Sequence, residues 1–317
     1  MKQHDFIAKN KENWVLFEKL ALQDKLVNDF DLPKMYRQIC HDLATAKARQ
    51  YSPDLIQQLN ALLLLGQSRL YKPSNRVLGS IVRFFTKNFK QGLIDIRLYV
   101  IWAHILFYGP AITAFAIVTL QPENANIFVD SGTISSIERM YNPNSSHFAK
   151  ERPSDSDFLM FGHYIRNNIS IAFQCFVGGI LLGLGSLFYL VYNALFFGAI
   201  SGHIVNIDYN ITFFSFVVTH GAFELTAIVL SGAAGGVMGK HLIAPGEYSR
   251  LASLKLAGKR TFSVVIGCFI LLVLAAFVEA FWSSSQTIPA YIKYIVGGLC
   301  WVWILSFVFR RGNNATR

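Results

Sequence analysis

The sequence predicts an all-α protein, a polytopic transmembrane helix bundle with an N-terminal cytoplasmic helical domain. Three observations predict it. Of the 317 residues, 53% are apolar and 15% charged, where soluble domains run nearer 25% charged, and the mean hydropathy is +0.37. Apolar runs of about 20 residues, long enough for ~30 Å of hydrocarbon, recur from residue 98 onward. The formal charge of +10 is divided by region: residues 1–97 carry 16 Lys and Arg against 9 Asp and Glu, residues 236–261 carry 5 against 1, and residues 121–166 carry 4 against 6. Basic and acidic connections alternating between apolar runs fit the positive-inside rule. A nucleic-acid surface would gather its basic residues with aromatics on one face, so nucleic acid is not an expected partner. A disordered chain is excluded, and a soluble enzyme does not fit.

Residues 1–75 read as the cytoplasmic helical domain. One helix is expected near 34–50. Another starts at Ser52-Pro53, a hydroxyl N-cap followed by a residue with no amide hydrogen to satisfy. It carries Leu55, Leu59, Leu62 and Leu63 at helical spacing. Lys72-Pro73-Ser74 breaks the pattern. The N-terminus has no apolar h-region, so no cleaved signal peptide is expected.

Residues 76–97 contain an amphipathic segment. Val77, Ile81, Phe85 and Phe89 recur every four residues, punctuated by Arg76, Arg83, Lys87 and Lys90. Such a helix suits the headgroup boundary of a bilayer, with packing on its own soluble domain as the alternative. The transmembrane domain follows over 98–311, its first span at 98–120. The polar segment 121–166 reads as an outside loop, with a glycosylation-type Asn144-Ser145-Ser146. A second span is expected at 169–192, where Gly178, Gly179, Gly183 and Gly185 would let helix backbones pack closely. Spans at 262–282 and 290–309 complete the clear set.

Parity constrains the remainder. The N-terminal part, 236–261 and the C-terminus with Arg310, Arg311 and Arg317 all prefer the cytoplasmic side. An even number of crossings must separate each from the next. Segment 193–238 must therefore leave and return, as two shorter or broken helices or a re-entrant hairpin. Five straight spans are the alternative, and they would put the basic loop outside.

Two acids lie within apolar runs, Glu224 and Glu279. Each costs roughly 2.5–3.5 kcal/mol at the centre of a membrane helix, so each needs a partner inside the protein or a water-filled cavity. His220 precedes Glu224 by four residues, which places both on one helix face, with Gly221 and Ala222 keeping it low. Three readings compete. The pair is a structural lock to a neighbouring helix, for which Asn167, Asn168 and Asn193 are candidates. It is a centre that handles protons or a substrate, with Glu279 as a further member. Or it is a metal site, for which zinc wants three or four ligands and which His203 or His241 would have to complete. No metal or cofactor is expected on this count. Glu279 also reads simply as an acid at the outer interface beside Trp282.

The chain has no Walker A, GxSxG, HExxH or GxGxxG signature, and GGILLGLG is continuous with a span, so it reads as helix packing. Cys40, Cys175, Cys268 and Cys300 form no CxxC pair, and neither a disulfide framework nor a cysteine zinc site is expected.

The segment THGAFELTAIVLSGAAGGVMGK (219–240) resembles the HGxxE motif of the stage II sporulation protein M family, also called DUF95. RNNISIAFQCFVGGILLGLG with YNALFFGAISG, and AAFVEAFWSSSQTIPAYIKY, resemble its flanking regions. Ala194 stands where that family usually has a glycine after Asn193, which weakens the case for a left-handed backbone there. Trp14, MYRQICHDLATAKA (35–48) and LNALLLLGQSRLY (59–71) resemble the N-terminal part of longer members. The namesake belongs to a membrane complex that recruits peptidoglycan-degrading enzymes.

The resemblance implies a scaffold or assembly component of an envelope-associated complex, in the inner membrane with both termini cytoplasmic as the charge distribution predicts. It implies MoxR-type AAA ATPases and von Willebrand A-domain proteins as partners beside the lipid bilayer. It makes Trp14, Tyr36, Arg37 and Asp42 the expected partner-binding residues, and it supplies no catalytic residue. The glycine-rich spans suit a homo-oligomer. The alternatives are a transporter or lipid-handling protein built on His220 and Glu224, and an intramembrane enzyme.

Overall fold

In a computed structural model the described residues are 2–22, 32–70, 76–144 and 154–310. They contain helices and no strand. The chain divides into two compact units, residues 1–80 and 81–317. The glycosylation-type triplet, Lys72-Pro73-Ser74, Arg311 and Arg317 fall wholly or partly outside the described residues.

The first unit is built from α1 (Gln3–Leu22), α2 (Leu32–Ala48) and α3 (Pro53–Leu70). Phe6, Trp14, Phe17, Ile39, Leu43, Leu55, Leu59 and Leu62 form its core. Helix α3 starts at Pro53 as the sequence predicts, but the Ser52 hydroxyl accepts a hydrogen bond from Gln3 Nε2 at 2.8 Å. The Gln3 side-chain oxygen Oε1 accepts from the Ser52 backbone amide at 2.9 Å, which ties the start of α1 to the start of α3. Gly66 is required by packing: a Cβ there would lie 2.6 Å from Phe17 and 2.7 Å from Tyr36.

Next come α4 (Arg76–Arg83), a π-helical turn (Phe84–Phe89) and α5 (Lys90–Asp95). The four-residue apolar spacing does not survive as one lipid-facing stripe. The wide turn rotates Phe89 into the second unit's core, where it is fully buried and stands where a Gly267 side chain would be. Ile81 and Val82 remain exposed. Lys90 sits over the Phe307 ring at 5.2 Å. Burial, then Arg310 and Arg97, hold its ammonium below the ordinary lysine range.

The rest of the second unit runs through α6 (Arg97–Leu120), α7 (Ala125–Phe128), α8 (Ser131–Tyr141), α9 (Ser154–Val177), α10 (Leu184–Asn206), α11 (Asn210–Ile243), α12 (Arg250–Phe277) with its π-helical continuation to Ser283, and α13 (Ala290–Phe309). Among the described residues five helices are long and apolar enough to cross a membrane: Arg97–Leu120, Leu184–Asn206, Asn210–Ile243, Arg250–Ser283 and Ala290–Phe309.

Two sequence expectations change here. The helix expected to run unbroken over 169–192 ends at Val177. The chain then turns through Gly178–Ile180, with Leu182 at φ 54° and Gly183 at φ 82°, before restarting at Leu184. Hydropathy does not register this break. Its cause is contact between backbones: Gly179 lies against Gly235, and Gly183 against Gly239. Conversely, 193–238 holds neither a broken helix nor a re-entrant hairpin. It divides between two long helices that turn at Ile207–Tyr209, and Ala194 is ordinary buried helix. The acidic segment 121–166 is also more ordered than a polar loop. Ile134 and Tyr141 of α8 pack with Ile200, Ile204 and Phe213, and α9 begins at Ser154.

Contacts between helices fix their directions. Gly198 and Gly202 of α10 meet Ala111 and Phe115 of α6, so those two run parallel. Asn168 stands beside Glu224, and Cys175 and Phe176 meet Gly235, so α9 runs parallel to α11. His220 pairs with Ser283 and His241 with Ser253, so α12 runs antiparallel to α11. Gly297 meets Val218 and Trp303 meets Phe223, so α13 runs with α11. Leu190 meets Gly232 and Ser186 meets Gly235, so α10 opposes α11. Helices α6, α10 and α12 thus point one way, and α9, α11 and α13 the other. One end of the bundle gathers Arg97, Lys240, Arg250 and Arg310, and the opposite end gathers Glu123, Asp130, Glu138 and Asp208.

Candidate functional site

Helix α11 is the most enclosed of the candidate crossings, with 72% of its apolar window buried. It carries His220 and Glu224 on one face, as the four-residue spacing requires. Glu279 arrives from the π-helical turn that extends α12. One ligand-type atom from each of His220, Glu224 and Glu279 lies within 4.8 Å of the others. His220 Nε2 stands 4.0 Å from Glu224 Oε2. Its other ring nitrogen, Nδ1, is 3.0 Å from the Ser283 hydroxyl, and Phe216 meets the imidazole edge-on at 5.2 Å.

The cluster is incompletely satisfied. Glu279 is 8% exposed and Asn168 only 2%, yet Glu279 Oε2 and Asn168 Nδ2 have no hydrogen-bond partner. Asn168 lies next to both carboxyls, and Asn167 Nδ2 donates to Asn168 Oδ1 at 3.3 Å. Among the described residues neither carboxyl has a Lys or Arg ion-pair partner. A cavity of about 340 Å³ opens onto the cluster, bounded by Tyr141, His163, Tyr164 and Phe213 among others. The Glu224 side chain is 18% exposed and lines that cavity. Burial, then the charge of Glu279, pushes the Tyr141 phenol well above its ordinary range.

The structure therefore brings together His220, Gly221, Glu224, Glu279, Asn167 and Asn168 around one cavity. Asn193 does not join them. Its Nδ2 donates to Tyr189 O at 2.7 Å, one turn back in α10. Of the two histidines that could have completed a metal set, His203 instead pairs with Glu138 at 2.7 Å, and His241 with Ser253 at 2.9 Å. Gly178, Gly179, Gly183 and Gly185 lie in and around the break, in contact with other backbone.

In the first unit, Trp14 and Asp42 are interior. Trp14 Nε1 donates to Asp42 Oδ2 at 2.8 Å, and Gln38 Nε2 donates to Oδ1 at 3.0 Å. Tyr36 is half-buried and Arg37 exposed. A cavity of about 200 Å³ beside them is lined by Trp14, Lys34, Met35, Gln38 and Asp42.

Two participants escape the sequence reading. Ser283 sits in an uncharged SSSQ link with nothing to mark it as the partner of His220. Lys293 is 6% exposed and donates to Ser283 O and Ser285 O, both at 2.8 Å, which fixes the loop that carries Ser283. A lysine inside an apolar run is a signal that could have found it.

No curated protein and no solved structure matches the chain significantly. Residues 4–72 match a family described as a domain of unknown function, DUF8413. The match to stage II sporulation protein M covers residues 127–284 and so takes in His220, Glu224, Glu279 and Ser283. Over residues 127–284 the chain belongs to the stage II sporulation protein M family.

Proposed function

We propose that the protein is a non-enzymatic scaffold or assembly component of an envelope-associated complex in the inner (cytoplasmic) membrane. The observation that carries this reading is the self-contained core of the first unit, which gives the chain a helical head that folds around its own apolar residues. The cavity bounded by Trp14, Met35 and Gln38, with Arg37 exposed nearby, is the place where a soluble partner docks. MoxR-type AAA ATPases and von Willebrand A-domain proteins are the partner classes. The basic end of the bundle faces the cytoplasm, and α9 serves as a sixth, more polar crossing. That count returns both termini and the 244–249 turn to the cytoplasmic side. Exposed Trp102, Ile112, Phe269 and Trp303 face lipid or a second copy in a homo-oligomer.

The test is recovery of partners from membranes with the full chain, with an Arg37→Glu variant and with residues 1–80 deleted. Loss of the same partners in both altered forms, with the membrane unit still inserted, supports the reading. Unchanged recovery after the deletion sinks it.

A second reading has its own observation. A 340 Å³ cavity beside two buried carboxyls suits a transporter or lipid-handling protein, because buried ionisable groups at membrane depth mark substrate or ion paths. Reaction of a Val217→Cys side chain with a membrane-impermeant thiol reagent, in a background free of the native cysteines, would favour it. Complete protection would count against it.

A further inference from the structure

We propose that His220, Glu224 and Glu279 bind one divalent metal ion of the zinc class, with the remaining coordination position turned toward the cavity. The three ligand-type atoms already lie within 4.8 Å of one another. Zinc bonds nitrogen and carboxylate oxygen at about 2.0–2.2 Å, so the side chains need to draw together by roughly an ångström. Glu224 borders the cavity and has room to do so.

Three further observations point to a cation. Glu279 Oε2 is a buried acceptor with no donor, and a polar atom left in that state costs free energy. Two carboxyls share the site with no Lys or Arg ion pair among the described residues, and one dication beside a neutral imidazole balances both charges. His220 is also oriented as a ligand. In the tautomer that carries its proton on Nδ1, beside the Ser283 hydroxyl at 3.0 Å, Nε2 keeps its lone pair on the side of Glu224, the arrangement in which a partner on one ring nitrogen sets the other for a metal. Asn168, beside both carboxyls, is placed to donate to whichever carboxylate oxygen the metal leaves free. One nitrogen and two carboxylate oxygens suit zinc, whereas magnesium prefers six oxygens and retained water. The competing account is that the two carboxyls share protons and bind no metal. The site stands independently of the scaffold reading, since partner recovery depends on the head and metal retention on the cluster.

The experiment uses the full chain in detergent, stripped with a chelator, loaded with zinc, desalted and assayed for zinc by atomic emission. The expected result is about one zinc per chain, and with cobalt the visible absorption of a tetrahedral Co(II) centre that zinc displaces. His220→Ala, Glu224→Gln and Glu279→Gln should each abolish retention without changing the elution profile, while His241→Ala retains it. Ser283→Ala should keep the stoichiometry but weaken affinity roughly 10–100-fold. The proposal is overturned if the wild-type chain retains no zinc and gives no cobalt spectrum, which is the shared-proton outcome, or if the three cluster variants bind as the wild type does.

Discussion

The two units treat a buried acid in opposite ways. In the head, Asp42 is 3% exposed, and both its oxygens accept hydrogen bonds, from Trp14 and Gln38. In the membrane unit, Glu279 is 8% exposed, and one of its oxygens accepts none. A buried polar group with matched partners locks a fold, whereas one without them lowers stability and is retained for another purpose. On this comparison the head's acid is architectural, and the membrane unit's acids are the ones the metal-site proposal draws on.

The strongest way to break the comparison is through the glycines that hold the membrane unit closed. Gly179→Val pushes a side chain into the Gly235 backbone, which has no flexible end to yield. It should cost about 3 kcal/mol or more, at the upper end of overpacking effects, and appear as loss of monodisperse protein on gel filtration. Gly258→Ala, with nothing within 4 Å of the added carbon, is its silent control.

Next in size is Asp42→Ala. It strands the Trp14 indole N–H and should destabilise the head by about 1–3 kcal/mol, measured by urea titration of Trp fluorescence. The contrasting change, Glu279→Gln, should alter the melting temperature of the metal-free protein little or raise it. It replaces an unmatched buried acid with a neutral amide, a change within about 1 kcal/mol in either direction. If Glu279→Gln proves as damaging as Asp42→Ala, the two acids play the same structural part and the contrast fails.

The smallest expected effect lies at the N-cap of α8. Asp130 accepts the Thr133 amide at 2.9 Å and the Thr133 hydroxyl at 2.6 Å, and these bonds hold its carboxyl below the ordinary range. A depressed folded value means the contribution is complete above the unfolded value of about 3.9 and is lost as pH falls through the folded one. Thermal melts of Asp130→Asn, which keeps a capping oxygen, should lack this small acid-dependent loss.

Much of this was legible in the sequence because it depends on local pattern. Composition and run length identify helices able to cross a membrane. Pro53 marks the start of α3, and the four-residue step puts His220 and Glu224 on one face. The partner of His220 was not legible, because Ser283 lies 63 residues away in a stretch of unremarkable serines. Asn193 misled for the related reason that an amide inside a helix can satisfy itself one turn back. The break at Gly178–Gly183 was invisible because apolarity measures transfer to lipid and carries no information about backbone direction.

By itself, then, the sequence determined an all-helical chain with helices apolar enough to cross a membrane, its charge asymmetry and the family of residues 127–284. Those are properties of composition, periodicity and short motifs. Only the tertiary structure decided that Glu279 meets His220 and Glu224, that His203 and His241 go elsewhere, and that a helix breaks where Gly179 meets Gly235. Each of these is set by contact between segments far apart in the chain, and hydrophobic burial, being non-directional, does not specify which segments will meet.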